Sequence, residues 1–199
     1  MKNLILYIHG KDGSAAESAH YLPLFPGCTV EGLDYRTFTP WETGEEIRDA
    51  VKRLKNDHAD VTLIANSIGA YFSMLALSGD PVENAFFISP VVDMEGLILD
   101  MMASAGITEN ELRAQKEITV SGTALSWDYL SWVRAHPVRW DIPTQILYAE
   151  NDELIPRSTI DAFIAAHGAG LTVMPGGEHW FHTIEQMDFL SGWLARVTS

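Results

Sequence analysis

The sequence holds a single cysteine, Cys28, and no long apolar run. One cysteine excludes a disulfide within the chain, so nothing indicates a secreted scaffold held by cross-links. No stretch approaches the roughly 20 consecutive apolar residues that a membrane-spanning helix needs. The short apolar run Leu4–Ile8 stops at His9-Gly10 without a cleavage-like site and fits a buried strand better than a signal peptide. We therefore expect a cytoplasmic protein.

Basic residues are also few, with 13 Lys and Arg against 27 Asp and Glu and a formal net charge of −14. Because nucleic acids and anionic membranes both attract clustered Lys and Arg, we expect neither as a partner. The acidic balance is compatible with simple solubility. Repeats and linker-like segments are missing too, so 199 residues with 47% hydrophobic composition predict one domain over 1–199 with a substantial core.

Short apolar segments alternate with helical patterns along most of the chain. Several of these segments are apolar throughout, which is typical of strands covered on both faces of a parallel sheet. The alternation predicts an α/β fold with a mostly parallel sheet of about six strands flanked by helices. The six predicted strands are Leu4–Ile8, Thr29–Leu33, Val61–Ala65, Ala85–Ile88, Thr144–Tyr148 and Leu171–Met174.

A serine with small neighbours follows the third predicted strand. Ser67 has Ala65 two residues before it and Gly69 two residues after it, and a helical pattern begins at Ile68. A sharp strand-to-helix turn of this kind lifts a serine hydroxyl to where a base can reach it. The helix N-terminus would also direct free backbone N–H groups at charge forming on a reacting carbonyl. Taken alone, the pattern is more often an ordinary turn or helix start than a nucleophile.

An acid and a histidine follow two further strands. Asp152 comes after the fifth predicted strand and His179 after the last. In an open parallel sheet the loops at the carboxyl ends of the strands meet the ligand, so these side chains are expected near Ser67. The chain order serine, acid, histidine on this fold class is the order of the α/β-hydrolases.

Over nearly its whole length the chain resembles the α/β-hydrolase superfamily, as a small esterase-like member. The resemblance implies that Ser67 attacks an acyl carbonyl, that His179 takes its proton, and that Asp152 orients His179. It also implies an oxyanion hole made by the backbone N–H groups of Ile68 and Lys11. The matching segments are His9-Gly10, Ala65-Asn66-Ser67-Ile68-Gly69, Asn151-Asp152-Glu153-Leu154-Ile155-Pro156 and Gly177-Glu178-His179.

One interval breaks the alternation of strands and helices. Between Pro90 and Pro143 the sequence shows helical pieces and no convincing strand, and excursions of this length are usually functional or packed insertions. We expect residues 91–142 to form a small helical cap that shapes the acyl pocket, and an extension of the core is the alternative. The substrate-binding candidates within it are Trp127, Trp132 and Met101.

Other residues compete for the catalytic roles. Asp93 follows the fourth strand and is a second candidate for the acid, whereas Glu150 and Glu153 are expected to be solvated. His182 is a rival of His179, and the two could suggest a metal site, but no third ligand has matching spacing. We therefore expect neither a metal nor a cofactor.

The implied reaction is hydrolysis of a carboxylic ester or thioester through an acyl-serine intermediate, with a small-molecule acyl substrate as the partner. Amide or peptide cleavage uses the same three residues, and a non-catalytic binding protein on the same fold is the alternative from another class. The sequence carries no signal for the oligomeric state.

Overall fold

The computed structural model describes residues 2–58, 60–79, 82–120 and 122–198. They form two compact units: Met1–Val92 with Arg139–Ser199, and Asp93–Val138. The strands in chain order are β1 (Leu4–Ile8), β2 (Thr29–Leu33), β3 (Val61–Asn66), β4 (Asn84–Ile88), β5 (Glu117–Val120), β6 (Thr123–Ser126), β7 (Thr144–Ala149) and β8 (Gly170–Met174). The helices are α1 (Pro40–Asp57), α2 (Ile68–Leu77), α3 (Met94–Ser104), α4 (Glu109–Gln115), α5 (Trp127–Ala135), α6 (Arg157–His167) and α7 (Ile184–Val197), and a 3₁₀ helix covers Ala15–Leu24.

The first unit is built on a parallel six-stranded sheet in the order β2-β1-β3-β4-β7-β8. This confirms the predicted fold class, and each predicted strand agrees with the structure to within one residue at either end. The agreement follows from burial: all five residues of β1 are buried, so its sequence is apolar on both faces. The chain passes from β1 to β2 on one side and later to β3 on the other, which creates a topological switch point beside β1.

Helix α7 supplies much of the core of this unit. Its stripe Leu190, Trp193 and Leu194 is buried against the sheet, and the Trp193 ring meets Phe86 of β4 edge-on at 6.1 Å between centroids. Trp140, which the sequence placed in the insertion, is buried in this unit, and its indole N–H donates to Thr144 Oγ1 at 2.7 Å.

In the part of the chain that the structure describes, no helix has both the length and the apolar character needed to cross a membrane.

The second unit contains α3, α4 and α5 together with an antiparallel hairpin of β5 and β6. The expectation that residues 91–142 contain no strand is therefore wrong, whereas the predicted helical pieces are present as α3, α4 and α5. Strand β5 alternates exposed and half-buried residues, and β-branched Ile118 and Val120 favour a strand. Gly122 in the connecting turn has φ of +83°, a conformation that glycine adopts freely.

An arginine ties the helices of the second unit together. Arg134 of α5 donates to Glu95 of α3 at 2.6 Å and to both carboxylate oxygens of Glu109 of α4 at 2.7 and 2.8 Å.

Two of the substrate-binding candidates lie on α5. Trp127 is its first residue, and Trp132 stacks on His136 with ring centroids 4.0 Å apart. The third, Met101, is a half-buried residue of α3. Their role in substrate binding stays a prediction.

Candidate active site

Ser67 occupies a strained backbone conformation between β3 and α2. Its φ of 51° and ψ of −121° lie outside the regions that residues other than glycine normally adopt. Backbone hydrogen bonds hold it there: Ser67 N–H donates to Ile88 O at 3.0 Å, and Ser67 O accepts from Ala70 and Val91 N–H, both at 3.1 Å. Strain maintained in this way is a feature of functional sites.

The small residues around Ser67 make room for the end of β1. A Cβ atom on Gly69 would lie 2.4 Å from the carbonyl oxygen of His9, so only glycine lets α2 begin this close to β1. A Cβ atom on Gly10 would lie 3.2 Å from Cβ of Ser67. Ala65 is fully buried. The spacing that made Ser67 conspicuous in the sequence therefore has a steric cause in the fold.

The three residues predicted at separate strand ends form one chain of hydrogen bonds. Ser67 Oγ lies 2.9 Å from His179 Nε2, and His179 Nδ1 lies 2.7 Å from Asp152 Oδ2. These residues are 112 and 27 positions apart in the sequence. The arrangement lets the imidazole accept the serine proton at one nitrogen while the carboxylate holds the other.

The carboxylate of Asp152 is oriented on both oxygens. Oδ1 accepts from the backbone N–H groups of Leu154 and Ile155, both at 2.9 Å, and Oδ2 faces His179. The Asp152 side chain is 0% exposed, and that of His179 is 21% exposed. The acid is thus withdrawn from solvent, whereas the histidine remains accessible to a ligand.

Hydrogen bonds join the loop that carries the acid to the loop that carries the histidine. Asn151 N–H donates to Gly177 O at 2.8 Å, and the carboxylate of Glu150 accepts from Gly176 N–H at 2.8 Å. On the far side of His179, the Gln186 amide donates to Glu178 O at 3.1 Å. Glu150 is exposed, as the sequence predicted, but it is also a bridge between the two loops, which no sequence signal indicated.

The rival residues have other partners. Asp93 is the N-cap of α3, and its Oδ1 accepts from Gly96 N–H at 2.9 Å. His182 Nδ1 lies 2.7 Å from Trp180 O, and its ring stacks on Trp180. Among the described residues, no group of three His, Cys, Asp or Glu side chains could hold a metal ion.

Contacts of His9 with Gly10 and Tyr35 support the loop after β1. His9 Nδ1 bonds Gly10 O at 2.7 Å, its ring stacks on Tyr35 at 4.1 Å, and Tyr35 OH donates to His9 O at 2.7 Å. Burial raises the pKa of Tyr35, which keeps the phenol protonated as a donor.

The two oxyanion candidates lie on either side of Ser67. Lys11 is in the loop after β1, and Ile68 is the first residue of α2, where a backbone N–H has no acceptor within the helix.

A cavity of about 370 Å³ opens at Ser67 and His179. It lies beside the topological switch point, between the loop after β1 and the loops after β7 and β8. This is the place where open parallel sheets bind small molecules. The side chains around it include Lys11, Asp12, Glu17, Leu154 and Trp180.

Solved structures resemble this chain over almost its full length. Est1E from Butyrivibrio proteoclasticus, determined with bound ferulic acid, is 18% identical with a TM-score of 0.77, covering 98% of this chain and 88% of that one. Mouse alpha/beta hydrolase domain-containing protein 10 is 17% identical with a TM-score of 0.72, covering 98% and 89%. An alpha-beta serine hydrolase homologue from Coxiella burnetii is 16% identical with a TM-score of 0.66, covering 100% and 85%.

Comparison of sequences adds no relative: neither a protein-family model nor a curated protein matches the chain. The similarity to these proteins therefore lies in the order and pairing of the strands and helices. The resemblance of the sequence motifs to the α/β-hydrolases had predicted this fold. On its topology and on these structural neighbours, the chain has the α/β-hydrolase fold.

Proposed function

We propose that this protein is a serine hydrolase that cleaves carboxylic esters or thioesters through an acyl-serine intermediate. The observation that carries the proposal is the chain of contacts from Ser67 Oγ to His179 Nε2 and from His179 Nδ1 to Asp152. The strained turn at Ser67 and the cavity that opens onto it add support. So does the structural likeness to a serine hydrolase homologue.

The first half of the reaction transfers the acyl group to the protein. Ser67 Oγ attacks the carbonyl carbon while its proton passes to His179 Nε2, and the carbonyl electron pair moves onto oxygen. The electron pair returns as the bond to the alkoxide or thiolate leaving group breaks, and His179 gives that group its proton. Asp152 holds the Nδ1–H of His179 and stabilises the imidazolium that exists between these two proton transfers.

The second half releases the acid. A water molecule attacks the acyl-serine carbonyl, His179 takes the water's proton, and the bond to Ser67 Oγ breaks as that proton returns to the serine. In both halves negative charge develops on the carbonyl oxygen. We assign its stabilisation to the backbone N–H groups of Ile68 and Lys11, and the loss of one such donor typically lowers turnover by about 10²–10³.

Labelling with a fluorophosphonate probe, followed by peptide mapping, tests the proposal. We expect a covalent adduct at Ser67 in the folded wild type and none in Ser67→Ala. Ser78→Ala, which removes an exposed serine hydroxyl at the end of α2, is the matched control and should label like the wild type. A folded wild type that stays unlabelled and cleaves no p-nitrophenyl ester or thioester would overturn the assignment.

A further inference from the structure

A carboxylate is held in a fixed position on the wall of the cavity. Glu17 Oε2 accepts from Tyr7 OH at 2.5 Å, and Oε1 accepts from Ser14 N–H at 3.0 Å. Tyr7 is buried, and burial, the neighbouring Tyr21 and Glu17 itself raise its pKa, so its phenol remains a donor. Each carboxylate oxygen has a second lone pair, and Glu17 is exposed on the same cavity that Ser67 faces.

The surroundings of this cavity are negatively charged. Asp12 and Glu17 both line the cavity, and Lys11 supplies the positive charge among the lining residues. A neighbouring groove, which shares His179 and Trp180 with the cavity, adds the exposed carboxylates of Glu153 and Glu178. A negative rim of this kind attracts cationic ligands and disfavours anionic ones.

Apolar groups accompany the negative charge. Trp180 is 68% exposed and lines both the cavity and the groove, and one face of its ring is stacked on His182 at 4.3 Å. Leu154 is 41% exposed at the same two places. An aromatic ring and a carboxylate that line one cavity suit an alkylated ammonium group, because the cation is attracted to both while its methyl groups contact apolar surface.

We propose that the pocket selects esters and thioesters that carry an ammonium group, with Glu17 as the residue that recognises the charge. Tyr7 positions the Glu17 carboxylate, Trp180 contacts the alkyl groups of the cation, and substrates with an anionic group in the pocket are disfavoured. This proposal rests on the proposed function and names the substrate class of the same site.

Three thioesters of equal size test the selection by charge. The first is acetylthiocholine, the second carries a tert-butyl group in place of the trimethylammonium group, and the third carries a sulfonate there. A matching set of p-nitrophenyl esters places the same three groups on the acyl side. In at least one set we expect kcat/KM to be about fivefold higher for the cation than for its neutral isostere, corresponding to about 1 kcal/mol for a charge pair in water. The preference should shrink as salt is added.

Substitutions assign the preference to residues. Glu17→Gln removes the charge but keeps one acceptor oxygen for Ser14 N–H, and its amide NH₂ group can donate to the phenol oxygen of Tyr7. We therefore expect kcat/KM for the cation to fall about fivefold while that for the neutral isostere stays within about twofold. Glu45→Gln removes an exposed carboxylate of α1 and is the charge-matched control. Trp180→Leu changes an exposed residue, so it should fold, and it should also lower the preference for the cation.

The outcomes distinguish a failure of the charge selection from a failure of the proposed hydrolase function. Labelling of Ser67 together with equal turnover of cationic and neutral substrates in both sets would overturn the charge selection and leave the hydrolase intact. An equal loss of activity on both substrates in Glu17→Gln would show that Glu17 acts on the structure and not on the charge. No labelling and no turnover would overturn both proposals.

Discussion

Replacing Asp152 by asparagine tests the site with almost no change of shape. In the wild type, Asp152 Oδ1 accepts from two backbone N–H groups, those of Leu154 and Ile155, and Oδ2 accepts from His179 Nδ1–H. In Asp152→Asn the amide oxygen must take the Oδ1 position, because an NH₂ group there would face two donors. The NH₂ group then points at His179 Nδ1, which has to become an acceptor.

This change of tautomer has a calculable consequence. If Nδ1 of His179 is an acceptor, the proton lies on Nε2, the atom that is 2.9 Å from Ser67 Oγ. A protonated Nε2 cannot accept the serine proton, so we expect kcat to fall by about 10⁴, as found for a buried triad carboxylate changed to its amide. That factor corresponds to about 5 kcal/mol in the activation free energy.

Steady-state hydrolysis of p-nitrophenyl acetate at neutral pH measures the effect, with thermal unfolding as a check that the fold is intact. Asp93→Asn is the matched control: it changes the other candidate acid, an N-cap of α3, and should leave kcat close to the wild type. Retention of kcat within about tenfold in Asp152→Asn would refute the tautomer argument. A loss confined to Asp93→Asn would refute the assignment of the acid.

Three further predictions concern stability and the frame of the site. Gly69→Ala places a Cβ atom 2.4 Å from a backbone carbonyl oxygen and should lower the free energy of unfolding by about 2–3 kcal/mol, whereas Gly79→Ala, with open space around it, should be close to neutral in denaturant unfolding. Burial raises the pKa of Tyr21 above its ordinary 10.0, so the stability it lends is present below pH 10 and is lost as pH rises through the folded-state pKa. Urea titrations should therefore show a steeper loss above pH 10 in the wild type than in Tyr21→Phe, and equal slopes would contradict this. Glu150→Ala removes the acceptor for Gly176 N–H and should lower kcat severalfold with little change in KM, while Glu150→Gln keeps an acceptor oxygen and most of the activity.

The inner strands of the sheet could be predicted because they are mostly buried on both faces. The segment Leu4–Ile8, for example, is a continuous apolar run of five residues. This length is typical of a strand and too short for most helices. The hairpin of β5 and β6 escaped prediction for the opposite reason. Each of its strands has four residues, β5 alternates with exposed Glu117 and Thr119, and this pattern is too short to be told from a helical turn.

The site divides in the same way. Ser67, Asp152 and His179 could be predicted because each follows a strand, and parallel strands bring their carboxyl ends to one edge. The bonds from Glu150 to Gly176 and from Tyr7 to Glu17 could not, because both depend on how closely loops approach after the sheet has formed. Glu17 lies ten positions beyond Tyr7, and nothing in that spacing indicates that it lines the cavity at Ser67.

Strand order explains why the loops that carry Asp152 and His179 are joined by hydrogen bonds, whereas the loops after β1 and β3 leave a cavity. Strands β7 and β8 are neighbours, so the loops after them run side by side, and backbone bonds such as that from Asn151 to Gly177 can hold Asp152 and His179 in register. The chain instead leaves β1 for β2 on one side and returns to β3 on the other, so the loops after β1 and β3 diverge and leave open space. The loops that carry Asp152 and His179 are therefore joined to each other, while the cavity opens between them and the loop after β1.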